Sequence, residues 1–156
     1  MSDPLRVVFV CTGNICRSPM GEKVLQRHLE DAGLGDGVTV TSAGTGPWHE
    51  GEPADPRAVN VLKKAGYSTS HVAHQVTDDD LSADLLVALD SGHARDLRRL
   101  GADPERVRLL RSFDPGADSD DVPDPYYDGP DQFRDVLAMV EAATPGVVQW
   151  VRDQSR

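Results

Sequence analysis

A run of apolar residues interrupted only by Arg6 occupies positions 5–10, the pattern of a strand buried on both faces. The pattern changes at Cys11, where residues 11–17 turn polar and include Gly13, as a loop would. Ser18 and Pro19 then read as an N-cap and a first helical position. Met20, Val24, Leu25, Leu29 and Ala32 follow at helical spacing, and Gly33 and Gly35 close that element. The alternation continues with a β-branched strand over 38–41 and a helix opened by Asp55-Pro56 that carries Val59, Leu62 and Ala65 and stops at Gly66. A third strand is expected over 84–89, a helix through Ala94, Leu97 and Leu100 up to Gly101, and a short strand over 107–110. Phe133, Val136, Leu137 and Val140 mark a last long helix, expected to break at Pro145 before a final turn around 148–151.

Strand and helix in alternation imply an α/β protein: an open parallel sheet with helices on both faces. Ligands of such sheets sit beyond the carboxyl ends of the strands, and Cys11 lies at one such end. One long loop, residues 113–130, holds Asp114, Asp118, Asp120, Asp121, Asp124 and Asp128. Loops of that length are uncommon unless they are functional or disordered. With no internal repeat and no linker composition, residues 1–156 are expected to form one domain.

Charge narrows the function. The chain carries 26 acidic against 16 basic residues, a net charge of −10, which disfavours nucleic acid and anionic membranes as partners. A small anion can still bind where backbone and a single arginine make a positive spot. Cysteine is limited to Cys11 and Cys16, too few for a disulfide framework, and the five histidines supply no ligand cluster at metal-site spacing. No metal or other cofactor is expected. The apolar run before Cys11 is too short for a secretion signal and no stretch has transmembrane length, so a reducing, cytoplasmic location is expected.

The strongest chemical signal is the segment Cys11-Thr12-Gly13-Asn14-Ile15-Cys16-Arg17-Ser18-Pro19 between a strand and a helix. A loop that wraps onto a helix N-terminus points successive backbone N–H groups at one spot and makes an anion cradle. Gly13 permits close backbone approach, and Asn14 tolerates a left-handed conformation. Thiolate is the nucleophilic form of cysteine and is favoured at helix N-termini and near cations, which suits Cys11. Arg17, six residues on, can return a planar two-pronged donor to phosphate oxygens. Nucleophile, cradle and clamp in one loop suit in-line attack of sulfur on phosphorus.

With these residues in view, the chain resembles the low-molecular-weight protein tyrosine phosphatases of bacterial type. The resemblance runs from Val7 to the last helix and rests on residues 10–19, Thr41-Ser42-Ala43-Gly44-Thr45, Asp55-Pro56-Arg57-Ala58, Leu89-Asp90 and Asp124-Pro125-Tyr126-Tyr127. It implies a three-layer Rossmann-like, flavodoxin-like fold whose four-stranded parallel sheet has the order 2-1-3-4. It further implies hydrolysis of phosphotyrosine through a phosphocysteine on Cys11, without a metal. By match, Arg17 clamps the phosphate and Asp124 is general acid, then base. Ser18 donates to the Cys11 sulfur; Asn14, Ser42 and His71 hold the cradle in shape; and Asp90 orients the arginine. Thr12, Gly13, Ile15 and Cys16 complete the loop, while Trp48, Tyr126 and Tyr127 are candidate walls of a slot for an aromatic ring. The implied partners are phosphotyrosine-containing proteins. Regulation by a kinase, by reversible oxidation of the Cys11–Cys16 pair, or export by an unconventional route is left open.

Two departures from the family pattern stand out. Asp128 intervenes between the tyrosine pair and Gly129, and Gly21 occupies the first helical turn, where glycine costs about 1 kcal/mol of helix preference. Three rival readings exist. Arsenate reduction needs cysteines downstream of Cys16, and none follows. An arginine phosphatase of the same fold tends to carry threonine where this chain has Ile15. A silent phosphate-binding module would have no use for Cys11, Arg17 and Asp124 together.

Overall fold

The computed structural model describes residues 4–154; the ends of the expected 1–156 domain lie outside them. Strand β1 (Leu5–Cys11) is the centre from which the rest is organised. It pairs in parallel with β2 (Val38–Gly44) on one side and β3 (Leu85–Ala88) on the other. Strand β4 (Val107–Leu109) extends the sheet beyond β3, giving the order β2-β1-β3-β4 that the family resemblance implies.

Side chains alternate across this sheet, as strand geometry requires. Val7, Phe9, Leu85 and Val87 face one way and pack with helices α1 (Arg17–Asp31), α2 (Pro56–Lys64) and α5 (Pro130–Gln154). Val8, Val10, Leu86 and Ala88 face the other way, against Ala94 and Leu97 of α4 (Ser91–Arg99), numbered after the one-turn helix α3 (Asp78–Leu81). Burial on both faces explains why β1 has no polar alternation.

Gly33, Gly66 and Gly101 stand at positive φ just past α1, α2 and α4, where the sequence puts their stops. Gly21, whose cost in a helix is evident from sequence alone, has a packing reason. A Cβ there would lie 2.5 Å from Phe9 Cδ2, so only glycine lets α1 settle on β1 at this depth.

Three expectations need correction, and one element goes unforeseen. Helix α1 begins at Arg17 with Cys16 as its cap residue and no side-chain cap, because the Ser18 hydroxyl is used elsewhere. Strand β2 runs on to Gly44, since pairing with β1 continues to Cys11↔Gly44. The turn α3, held by a Thr77–Asp80 capping box, has too few apolar positions to be read from periodicity. Helix α5 does not break at Pro145. Its apolar face continues through Ala143, Val147, Val148 and Val151 into the core, and Thr144 Oγ1 donates to the Val140 carbonyl at 2.6 Å beside the missing N–H.

Candidate active site

The carboxyl end of β1, the loop that follows and the first turn of α1 form the floor of a cavity of about 410 Å³. Cys11, Thr12, Gly13, Ile15, Cys16 and Arg17 line its base. Asn14 is buried beneath at φ 59°, the one left-handed non-glycine among the described residues, and this reversal curls the loop upon itself. Among the described residues, the backbone N–H groups of positions 12–17 donate to no protein acceptor. They are thus free for an anion.

A directed chain of hydrogen bonds runs under the floor. The His74 N–H donates to Asn14 Oδ1 at 3.0 Å, which fixes the side-chain amide. Asn14 Nδ2 then donates to Ser18 Oγ at 2.8 Å and to Ser42 Oγ at 3.0 Å. With its oxygen accepting from Asn14, the Ser18 hydroxyl directs its proton to Cys11 Sγ at 2.9 Å, and the Ser18 N–H joins it at 3.4 Å. Ser42 passes its own proton to Glu22 at 2.6 Å. His71 closes the network from the side, with Nε2 2.7 Å from the Asn14 carbonyl; burial lowers its pKa and favours the neutral ring, which donates there. Glu22 is missed by sequence reasoning because a lone acid in a helix reads as a surface charge.

Arg17 is only 2% exposed, and its guanidinium is oriented from three sides. Nη1 donates to Asp90 at 2.9 Å and to the Val122 carbonyl at 2.8 Å. Nη2 lies 3.5 Å from Thr12 Oγ1 and 3.7 Å from Asp124 Oδ2. The edge bearing Nε and Nη2 is left for a ligand. Burial works against an ionised Asp90, but contact with His93 and the Arg17 guanidinium outweighs it and holds the carboxyl below its usual range.

Asp124 stands on the cavity wall beside Tyr126 and Tyr127, and its Oδ1 accepts the Tyr126 N–H at 3.1 Å. Trp48 and His49 form the facing wall. The tyrosines meet edge to face at 4.9 Å between centroids, and His49 lies 5.9 Å from Tyr126. Tyr127 is 91% and Trp48 68% exposed, so both stand at the rim, while Tyr126 is the better-packed wall. The extra Asp128 is absorbed by Arg57, which donates to the Asp128 carbonyl at 2.7 Å and the Tyr126 carbonyl at 2.8 Å. Asp55 in turn grips Arg57 at 2.9 Å, so the Asp-Pro-Arg segment anchors the aspartate-rich loop.

The residues given roles by the resemblance thus gather at this cavity or directly beneath it, the other loop aspartates do not line it, and His49, Glu22 and His93 join them unannounced. Neither Cys11 nor Cys16 is in a disulfide; burial, then Asp55 and Cys11, push the Cys16 pKa upward and keep that thiol protonated. Among the described residues no group of three or more His, Cys, Asp or Glu is placed to hold a metal ion. Nor is any described helix long and apolar enough to cross a membrane.

Comparison with known proteins gives a consistent picture. The family model described as low molecular weight phosphotyrosine protein phosphatase matches residues 6–156. A relative from Mycobacterium tuberculosis, named low molecular weight protein-tyrosine phosphatase A, is 58% identical over 156 residues, covering 99% of this chain and 96% of its own. One from Streptomyces coelicolor, a low molecular weight protein-tyrosine-phosphatase, is 57% identical over 96% of this chain and 94% of its own. A crystal structure of a protein tyrosine phosphatase from Entamoeba histolytica superposes with a TM-score of 0.92 at 29% identity, over 97% of this chain and 99% of that one.

Proposed function

Because this chain belongs to the low molecular weight phosphotyrosine protein phosphatase family, we propose that it hydrolyses phosphotyrosine through a phosphocysteine on Cys11. The thiolate attacks phosphorus in line, and the bond to the tyrosyl oxygen breaks as the S–P bond forms. A phenolate leaves poorly, so Asp124 gives its proton to the departing oxygen. Asp124 then takes a proton from water, which attacks phosphorus and breaks the S–P bond. The Ser18 hydroxyl stabilises the sulfur as it leaves, and inorganic phosphate is released. Throughout, the free amides of 12–17 and the Arg17 edge hold the non-bridging oxygens.

The observation that carries this reading is the set of unpaired amides around Cys11, whose sulfur accepts from Ser18 at 2.9 Å beside the buried Arg17. The alternative of a packed, inert cysteine has no use for such donors. On this reading residues 1–156 act as one domain in the cytoplasm, on phosphotyrosine-containing proteins. Cys16, held as a thiol beside Cys11, would resolve a peroxide-oxidised Cys11 into a reversible disulfide, with loss of water.

The test compares turnover of a phosphotyrosine peptide and of phosphoarginine, in chelator, by the parent and Cys11→Ser. Phosphotyrosine should turn over faster in the parent, and Cys11→Ser should fold yet show no turnover. Faster phosphoarginine hydrolysis would overturn the substrate assignment. Turnover retained in the serine variant would remove the covalent route, and phosphate binding without turnover in the parent would indicate a silent binding module. Asp124→Ala should slow phosphotyrosine far more than an aryl phosphate with an activated leaving group; equal losses would remove its role as acid.

A further inference from the structure

A buried imidazole reaches the base of the cavity from behind, through Thr12. His93 is 3% exposed and sits in the first turn of α4, where it closes a capping box with Asp90. The His93 N–H donates to Asp90 Oδ1 at 3.0 Å, and the Asp90 N–H donates to His93 Nδ1 at 3.2 Å. Nδ1 also lies 3.2 Å from Asp90 Oδ1, but that oxygen already accepts the His93 N–H, and Nδ1 is the acceptor the structure gives the Asp90 N–H. A neutral imidazole has one N–H, so an accepting Nδ1 puts the proton on Nε2. Nε2 lies 2.9 Å from Thr12 Oγ1, and donation therefore runs from the ring to the hydroxyl. Thr12 Oγ1 also receives Arg17 Nη2 at 3.5 Å. With both acceptor sites of that oxygen facing N–H donors, its own proton turns toward the cavity that Thr12 lines. The helix cap needs only Nδ1, so the contact to Thr12 is a second use of the ring.

We propose that His93 is a positioning residue for phosphoryl transfer, setting the Thr12 hydroxyl as one more donor to a non-bridging oxygen beside Arg17. The inference rests on the reading of the cavity as a phosphoryl site. Burial, then the neighbouring Arg17 guanidinium, push His93 down to about 4 against the pull of Asp90, Asp96 and Asp124. The ring thus keeps its single proton at neutral pH. A hydroxyl so fixed is already aimed at the position of developing charge, the condition under which a donor contributes most.

The variants separate cap from cradle. His93→Asn keeps an acceptor for the Asp90 N–H but is too short to reach Thr12, whereas His93→Gln presents an N–H at the reach of Nε2. Thr12→Val removes the hydroxyl at nearly constant shape, and Thr12→Ser restores it. His93→Asn and Thr12→Val should each lower kcat/KM for a phosphotyrosine peptide about tenfold, mainly through kcat. Each should weaken vanadate binding, measured by calorimetry, more than binding of inorganic phosphate. His93→Gln and Thr12→Ser should recover to within about threefold of the parent, and His93→Asn should add nothing in the Thr12→Val background. Parent-like vanadate affinity in both His93→Asn and Thr12→Val, or losses that multiply in the double variant, would overturn the inference. A parent that binds vanadate but turns over no phosphotyrosine would instead overturn the functional reading beneath it.

Discussion

Asn14→Ala is the substitution that most directly tests how the cradle is held. Its backbone sits at φ 59°, where an ordinary L-residue costs about 1 kcal/mol more than asparagine. Its side chain makes three hydrogen bonds, to Ser18 at 2.8 Å, to Ser42 at 3.0 Å and from the His74 N–H at 3.0 Å. Each contributes about 1 kcal/mol net. Alanine should therefore lower stability by about 4 kcal/mol, a large part of the roughly 5–15 kcal/mol typical of a domain. Asn14→Gly relieves the backbone cost alone and should lose about 3 kcal/mol. Urea denaturation with an unchanged slope measures both. Activity should fall in both variants even where they are fully folded, since Ser18 loses the donor that orients its hydroxyl toward Cys11. Alanine and glycine variants of equal stability, both within about 1 kcal/mol of the parent, would refute the argument.

Gly21→Ala should destabilise by ~1–2 kcal/mol despite alanine's better helix preference, because its Cβ would lie 2.5 Å from Phe9 Cδ2; thermal melts decide, and a gain in Tm would show that Phe9 moves aside freely. Stability should also fall as pH drops from about 6.5 to about 4, because the unfolded chain protonates His93 while the folded chain keeps it neutral. The full effect is about 3 kcal/mol, and His93→Asn should reduce that slope in urea titrations across the window. The contribution of Asp90 has the opposite origin, an acid held ionised, and is lost only as pH falls below the usual carboxylate range.

What the sequence reveals here is what is local. The apolar run, the polar loop and the helical spacing after it are contiguous, so β1, the cradle and α1 can be read almost residue by residue. The carboxyl end of β2 is hidden because Ser42-Ala43-Gly44 has no strand pattern of its own and is extended only by its register on β1. Pro145 misleads because a local rule about helix interiors yields to the burial of Val147, Val148 and Val151. Ser18 looks like a cap because it stands at a helix start, yet its hydroxyl is spent as a donor to the sulfur. Glu22 and His93 carry no signal in one dimension. Glu22 belongs to the site only because Ser42 arrives from another strand, and His93 only because Thr12 lies within 2.9 Å of its ring.

On charge alone, the proposed binding of a phosphoryl dianion by a chain of net charge −10 would call for a cluster of cations. The site has one, and its charge is already met: Arg17 pairs with Asp90 at 2.9 Å, so that pair carries no net positive charge. What remains is the backbone. Free amides at a helix N-terminus act as about half a positive charge placed in direct contact with the ligand and shielded from water. The acids elsewhere are largely solvent-exposed and screened, so their repulsion reaches the cavity weakly. Binding therefore depends on the curl of residues 12–17 more than on any tally of charge. That dependence explains why the polar network is spent on shape: Asn14, Ser42, Glu22 and His71 never need to touch a ligand, and each fixes the direction in which an N–H or an O–H points.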